Sequence, residues 1–222
     1  MAVTNVTGGQ TVRNPWPMIG GVASSTCREE DFIRPVKGEE GDVIVLTKPL
    51  GTQLAVNMFE WLRTAAKYNR VKDVITVDEI VESYKMAVAS MSTLNLEGAR
   101  LMRKHRAHGC TDVTGFGMLG HSNNLAQEQE NEVDLVIDTL PIIKNMIKVE
   151  RHLNNNWKLF YGRSAETSGG LLIMMTPERA SMFIKEYKEV TGHEAWIVGR
   201  VVKGTRKGYV VENPTLLEVE EW

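Results

Sequence analysis

From Thr111 to His121 the chain reads Thr-Asp-Val-Thr-Gly-Phe-Gly-Met-Leu-Gly-His, which joins a metal-capable carboxylate to a glycine-punctuated turn and then a helix. A lone carboxylate, Asp112, is followed by Gly115 and Gly117, after which Phe116, Leu119, Gly120 and Asn123 recur at helical spacing. The glycines permit a tight turn with positive φ, and a helix beginning there aims its first amides at whatever sits before it. The spacing matches neither a Walker loop nor a dinucleotide fingerprint, so the glycines alone specify a turn. Asp112 has two readings: a turn cap, or a hard oxygen ligand of the kind magnesium takes together with phosphates. Thr114 is suited to cap the helix near Gly115. The face made by Phe116, Leu119, Gly120 and Asn123 is too mixed in chemistry to serve packing alone.

The flanking sequence predicts a layered domain. Asp42 to Thr47 is a β-branched run bounded by Lys48-Pro49-Leu50-Gly51, which reads as a buried strand. Leu54, Met58, Trp61, Leu62 and Ala65 form the stripe of one helix, and Ile80, Tyr84, Ala87, Val88 and Met91 that of a second. Thr76 and Glu79 announce the second as a capping box. Further helices are expected from about Leu96 to Arg106, briefly after Pro141, and from Pro177 to Gly192, where proline stands at the first helical position. Strands are expected at Val133 to Asp138, Leu171 to Met175, Ala195 to Val201 and Gly208 to Val211, with a loop from Arg151 to Ala165. Strands and helices alternate irregularly, which predicts an α+β layered domain rather than a doubly wound sheet. Residues 1 to about 26 read as turn, strand, turn and strand, too little to enclose a core. The charged stretch Arg28 to Gly41, with Pro35, Gly38 and Gly41, has linker composition. The expected division is therefore 1–35 and 36–222.

Composition removes several function classes. Lys and Arg total 26 against 28 Asp and Glu, a net charge of −2, so no broad field draws nucleic acid and none is expected as a partner. The longest apolar run, Gly170 to Met175, is far too short to span a bilayer, and no secretory leader is recognised; a cytoplasmic location without membrane attachment is expected. Cys27 and Cys110 are too few for a disulfide framework and read as free thiols, Cys110 as a small hydrophobe. The five histidines form no zinc-type spacing.

Three other motifs carry polar turns. Thr7-Gly8-Gly9-Gln10-Thr11 offers amides and hydroxyls to a phosphate or ribose, or forms a hairpin turn. Lys48 is read as reaching phosphate from a strand end, or as a solvated lysine. Glu166-Thr167-Ser168-Gly169-Gly170 reads as a turn ahead of a strand, with anion binding the other possibility.

Taken in order, Val6–Thr11, Leu46–Thr52, Thr111–His121 and Glu166–Leu172, with His193 to Gly199, resemble the selenophosphate synthetase family. Aminoimidazole ribonucleotide synthetase, thiamine-monophosphate kinase and a hydrogenase-maturation protein share the pattern more loosely. The resemblance implies a three-layer α/β/α C-terminal domain of the aminoimidazole ribonucleotide synthetase type, preceded by a remnant of a β-rich ATP-binding domain. It implies an ATP-dependent enzyme that converts selenide, ATP and water to selenophosphate, AMP and orthophosphate for selenocysteine synthesis, with Mg²⁺ holding the phosphates. By motif, Gly8, Gly9, Gln10 and Thr11 correspond to a nucleotide-contacting turn and Asp112 to a magnesium ligand. The family's glycine-rich segment with its catalytic cysteine or selenocysteine is not in this sequence, so no catalytic residue is assigned. The chain is expected to be an N-terminally truncated piece, inactive alone, of a homodimeric parent whose dimer the piece retains weakly if at all. Two alternatives stay open: a catalytically silent paralogue acting in regulation or binding, and another ATP-dependent kinase of the superfamily.

Overall fold

A computed structural model of the chain describes residues 5–222, which fall into two compact units, Met1–Phe32 and Ile33–Trp222. Among the described residues of the first unit the only regular element is a 3₁₀ turn, Glu29–Asp31. The two strands expected before residue 26 do not form there, and residues 1–4 of that expectation lie outside the described residues. The physical reason is that a strand exists through its ladder. Pro15 and Pro17 also remove two donors, and Val6, Trp16 and Ile19 stay exposed rather than gathering into a face.

The second unit is built on one six-stranded sheet. Its strands are β1 (Val43–Leu46), β2 (Gly109–Asp112), β3 (Val133–Ile143), β4 (Leu171–Met175), β5 (Trp196–Lys203) and β6 (Gly208–Val219), in the order β2-β4-β1-β5-β3-β6. Every pairing is antiparallel except β3 with β6. The helices are α1 (Thr52–Trp61), α2 (Ala65–Tyr68), α3 (Val77–Ser92), α4 (Leu96–Lys104), α5 (Gly117–Gln127), α6 (Met146–His152) and α7 (Pro177–Thr191).

Alternation along the central strands sends side chains to two cores. Ile44 and Leu46 of β1 and Leu172 and Met174 of β4 join a large cluster with Leu54 and Met58 of α1, Ile80 of α3, Met118 of α5 and Met146 of α6. Val45, Ile173 and Met175 face the other way, onto Leu101 of α4 and Ala180, Phe183 and Tyr187 of α7. The result is the α/β/α sandwich expected. Covering both faces is why β4 is buried at all five positions and reads as an unbroken apolar run.

Local signals predicted much of this. The Thr76 hydroxyl accepts from Glu79 N while the Glu79 carboxylate accepts from Thr76 N at 2.8 Å, the reciprocal capping box. α7 starts at Pro177 and ends against Gly192 at φ 77°. Three expectations need correction, and two elements lack a sequence signal. The buried face of α3 is Ile80, Ser83, Met86, Ala87 and Ser90, with Val88 exposed; Ser83 can be buried because its hydroxyl is shared between the main-chain carbonyls of Glu79 and Lys144. Pro141 lies inside β3, whose parallel neighbour β6 does not need its missing donor there, and the helix waits until Met146. β2 and the short α2 carry no apolar pattern that would announce them. The stretch after Arg151 begins inside α6 and then contains a 3₁₀ turn, Leu159–Tyr161, anchored by the Glu150 carboxylate, which accepts from Trp157 N and Leu159 N.

Candidate functional site

Three of the motifs read from the sequence form one hydrogen-bonded unit at the end of the sheet. Thr47 and Leu171 exchange two bonds, from Thr47 N to Leu171 O and from Leu171 N to Thr47 Oγ1. Val113 N donates to Gly170 O and Glu166 N to Thr114 O, which ties the segment after β2 to the segment before β4. A side chain on Gly169 would stand 1.9 Å from Val113 O, so this close passage requires glycine.

The two buried charges in these motifs are internal fastenings. Lys48 is 1% exposed, and its ammonium donates to the carbonyls of Ser90, Thr93 and Ser168, three protons for three acceptors. Burial lowers its pKa to about 8. Both readings of Lys48, as a phosphate contact and as a solvated lysine, are thereby corrected: the end of α3 and the turn at Ser168 enclose it. Glu166 closes the N-terminus of α1, accepting from Gly51 N at 2.7 Å, Thr52 N at 2.9 Å and Thr52 Oγ1 at 2.5 Å. Burial pushes its carboxyl up to about 7 against the pull of those donors. The amides that an external phosphate would need at Gly51 and Thr52 are thus already taken by the protein's own carboxylate.

Asp112 ends β2, paired across from Leu171, and its side chain is exposed. After it the chain turns sharply into α5. Gly117 sits at φ 67°, and a Cβ there would come within 2.6 Å of the carbonyls of Gly162 and Ser164, so this position demands glycine. Gly115, by contrast, has open space around it. The helix cap is Phe116 rather than Thr114, with no side-chain cap bond. Thr114 Oγ1 instead lies 3.1 Å from His121 Nε2, and Phe116 N donates to the same nitrogen at 3.3 Å. Burial holds the His121 imidazole below its ordinary pKa, with the charge of Asp112 pulling the other way.

The mixed face of α5 opens onto a cleft of about 610 Å³, lined by Phe116, Leu119, Gly120, Asn123 and, from across the cleft, Arg163. Arg163 was missed in the sequence, where it sits in an unpatterned loop. Among the described residues no group of three or more His, Cys, Asp or Glu side chains gathers as a metal site. The exposed Asp112 carboxylate stands alone there, a donor set that would suit only a cation keeping most of its waters and sharing phosphate oxygens. Burial, and after it the charge of Asp112, push the Cys110 thiol up to about 12, which disfavours the thiolate. Gly8, Gly9, Gln10 and Thr11 belong to the first unit, where all four are exposed; Thr7, Gly8 and Gly9 line a cleft of about 690 Å³ with Gly20, Gly21 and Val22. No helix among the described residues is long and apolar enough to cross a membrane.

The family described as AIR synthase related protein, C-terminal domain, matches residues 39–212. The chain belongs to this family. Over 99% of its length it is 49% identical to a protein of Dictyostelium discoideum named selenide, water dikinase, and over 97% it is 50% identical to the human selenide, water dikinase 2. It spans 62% of the first relative and 49% of the second. Among solved structures, a thiamine-monophosphate kinase from Stenotrophomonas maltophilia superposes with a TM-score of 0.58 at 15% identity, covering 82% of this chain and 53% of that one. The hydrogenase maturation protein HypE of E. coli gives 0.56 at 16%, covering 81% and 48%. At such identities these structures establish the shared fold.

Proposed function

We propose that this chain forms the C-terminal half of a selenophosphate synthetase, an enzyme that converts selenide, ATP and water to selenophosphate, AMP and orthophosphate in the cytoplasm. The observation that carries the proposal is near-50% identity to selenide, water dikinases in matches that cover almost the whole chain. In this reading the boundary between the nucleotide-binding part and the synthetase domain lies at residues 35/36. Gly8, Gly9, Gln10 and Thr11 offer backbone and polar groups to the nucleotide, and Asp112 is one ligand of a Mg²⁺ ion. When bound, that ion neutralises phosphate charge during transfer. The chain's own part is positional: the β2–α5 turn fixes where the carboxylate stands, and Lys48 and Glu166 lock the segments on which the turn rests. Dimerisation is assigned to the whole enzyme.

A chimera tests this reading. Residues 36–222 replace the matching half of the Dictyostelium relative, and selenophosphate is followed by phosphorus NMR alongside AMP release. Selenide-dependent product is expected, and Asp112→Asn in the chimera lowers kcat by about a hundredfold or more, as loss of a charge-stabilising group does. A chimera that folds, by circular dichroism, yet makes no selenophosphate would overturn the proposal.

A further inference from the structure

The turn that presents Asp112 is held on one side only. Its outer side is bare: nothing lies within 4 Å of a Cβ built on Gly115, and Phe116 is 69% exposed. Its helix carries no side-chain cap. The inner side is held by main-chain bonds, with Thr114 O accepting from Gly117 N and Glu166 N. What replaces the cap comes from within the helix. His121, a full turn inside α5, returns its Nε2 to both the Thr114 hydroxyl and the Phe116 amide. The Phe116 N–H can donate only to an unprotonated nitrogen, so the imidazole is neutral, carries its proton on Nδ1, and accepts from Thr114 as well. The Phe116 ring lies over it at 5.5 Å between centroids, tilted by 43°.

We propose that His121 is a positioning residue for the metal-ligating carboxylate: its Nε2 clamps Thr114 and Phe116 so that Asp112, just ahead of them, meets a divalent cation in a single orientation. This rests on the reading of Asp112 as a magnesium ligand. Groups that orient a ligand from behind typically change metal affinity by 10–100-fold when removed. Here the leverage is short: a single residue, Val113, stands between Asp112 and the clamped Thr114.

The test uses the full 222-residue chain, labelled with ¹⁵N, and Mn²⁺ as a paramagnetic substitute for Mg²⁺. In the wild type, Mn²⁺ is expected to broaden the amides of Thr111 to Val113 first, and Asp112→Asn abolishes that selective broadening. His121→Ala is expected to shift its midpoint about tenfold to higher Mn²⁺. His121→Gln, whose amide oxygen reaches about as far as Nε2, restores most of the affinity. Thr114→Val, which removes one of the two bonds and leaves the ring, gives a smaller shift and serves should the alanine variant fail to fold. A merely structural histidine would lower the melting temperature and leave the midpoint where it was. Unchanged midpoints in the His121→Ala and Thr114→Val variants sink the inference and spare the Asp112 reading. Absence of selective broadening in the wild type sinks both.

Discussion

Lys48 and Glu166 are ionisable groups taken out of water, and at each the main chain supplies the partners. For Glu166 the geometry is demanding, because Gly51 N and Thr52 N donate to different oxygens of one carboxylate. An amide has a single acceptor oxygen, so Glu166→Gln turns an N–H donor towards one of these amides and is expected to cost about 1–3 kcal/mol in urea unfolding. The titration has a definite sign. With a folded pKa of about 7, above the ordinary 4.5, the stabilisation from protonated Glu166 is complete below pH 4.5 and is lost as pH rises through 7. The melting temperature of the wild type is expected to fall between pH 5 and 8, and to fall less steeply in Glu166→Gln. Equal slopes would mean that other groups govern this window. In the sequence, Glu166 is one acidic residue ahead of a Gly-Gly turn. Its partners stand more than a hundred positions away, and no local pattern encodes that.

Helix α5 is a strut with different duties at its two ends. At the start it carries the Asp112 turn and docks on the loop before β4 through Leu119 N to Gly162 O. Just beyond its end Gln129 holds the linker, accepting from Gly38 N and donating to Pro35 O. The start depends on Gly117, where a side chain meets both an unfavourable φ and two carbonyls. Gly117→Ala is expected to destabilise the protein by at least about 2 kcal/mol and to raise hydrogen exchange across α5. Gly115→Ala, in open space, leaves both nearly unchanged, and equal effects at the two glycines would refute this account. At this scale the helices with strong local signals were legible: the Thr76 capping box, the Pro177 start and the Gly192 stop all stand where the sequence places them. β2 was not, because Gly-Cys-Thr-Asp has neither alternation nor β-branched density, and pairing with β4 alone makes it a strand.

For the molecule as a whole, a central sheet buried on both faces leaves two edges, β2 and β6. β6 is guarded: its register against β3 jumps around Val211 to Pro214, where a proline and the charge of Glu212 disfavour pairing with another strand. β2 leads directly to Asp112, so one edge of the sheet adjoins the candidate site. Phosphoryl transfer requires several charged groups acting together on the phosphates. The large unit offers Asp112 and, separately, the exposed Arg163 in the cleft. The 222-residue polypeptide is accordingly expected to release no AMP from ATP when selenide is added, while the chimera does. Selenide-dependent AMP from the polypeptide itself, at a rate comparable with the chimera, would contradict this.

The sequence by itself determined the α+β class, most helix and strand positions, the free thiols and the family to which the chain belongs. These follow from local spacing, from caps, and from ordered motifs that survive in one dimension. Only the tertiary structure decided that Lys48 and Glu166 face inward, that the serines of α3 turn to the core, that the segment before Asp112 is an edge strand, and that His121 folds back onto the turn. Each of these depends on which distant backbone groups come within hydrogen-bond reach. A buried charge is tolerable only where its partners converge, and that convergence belongs to the packed sheet rather than to any short run of residues.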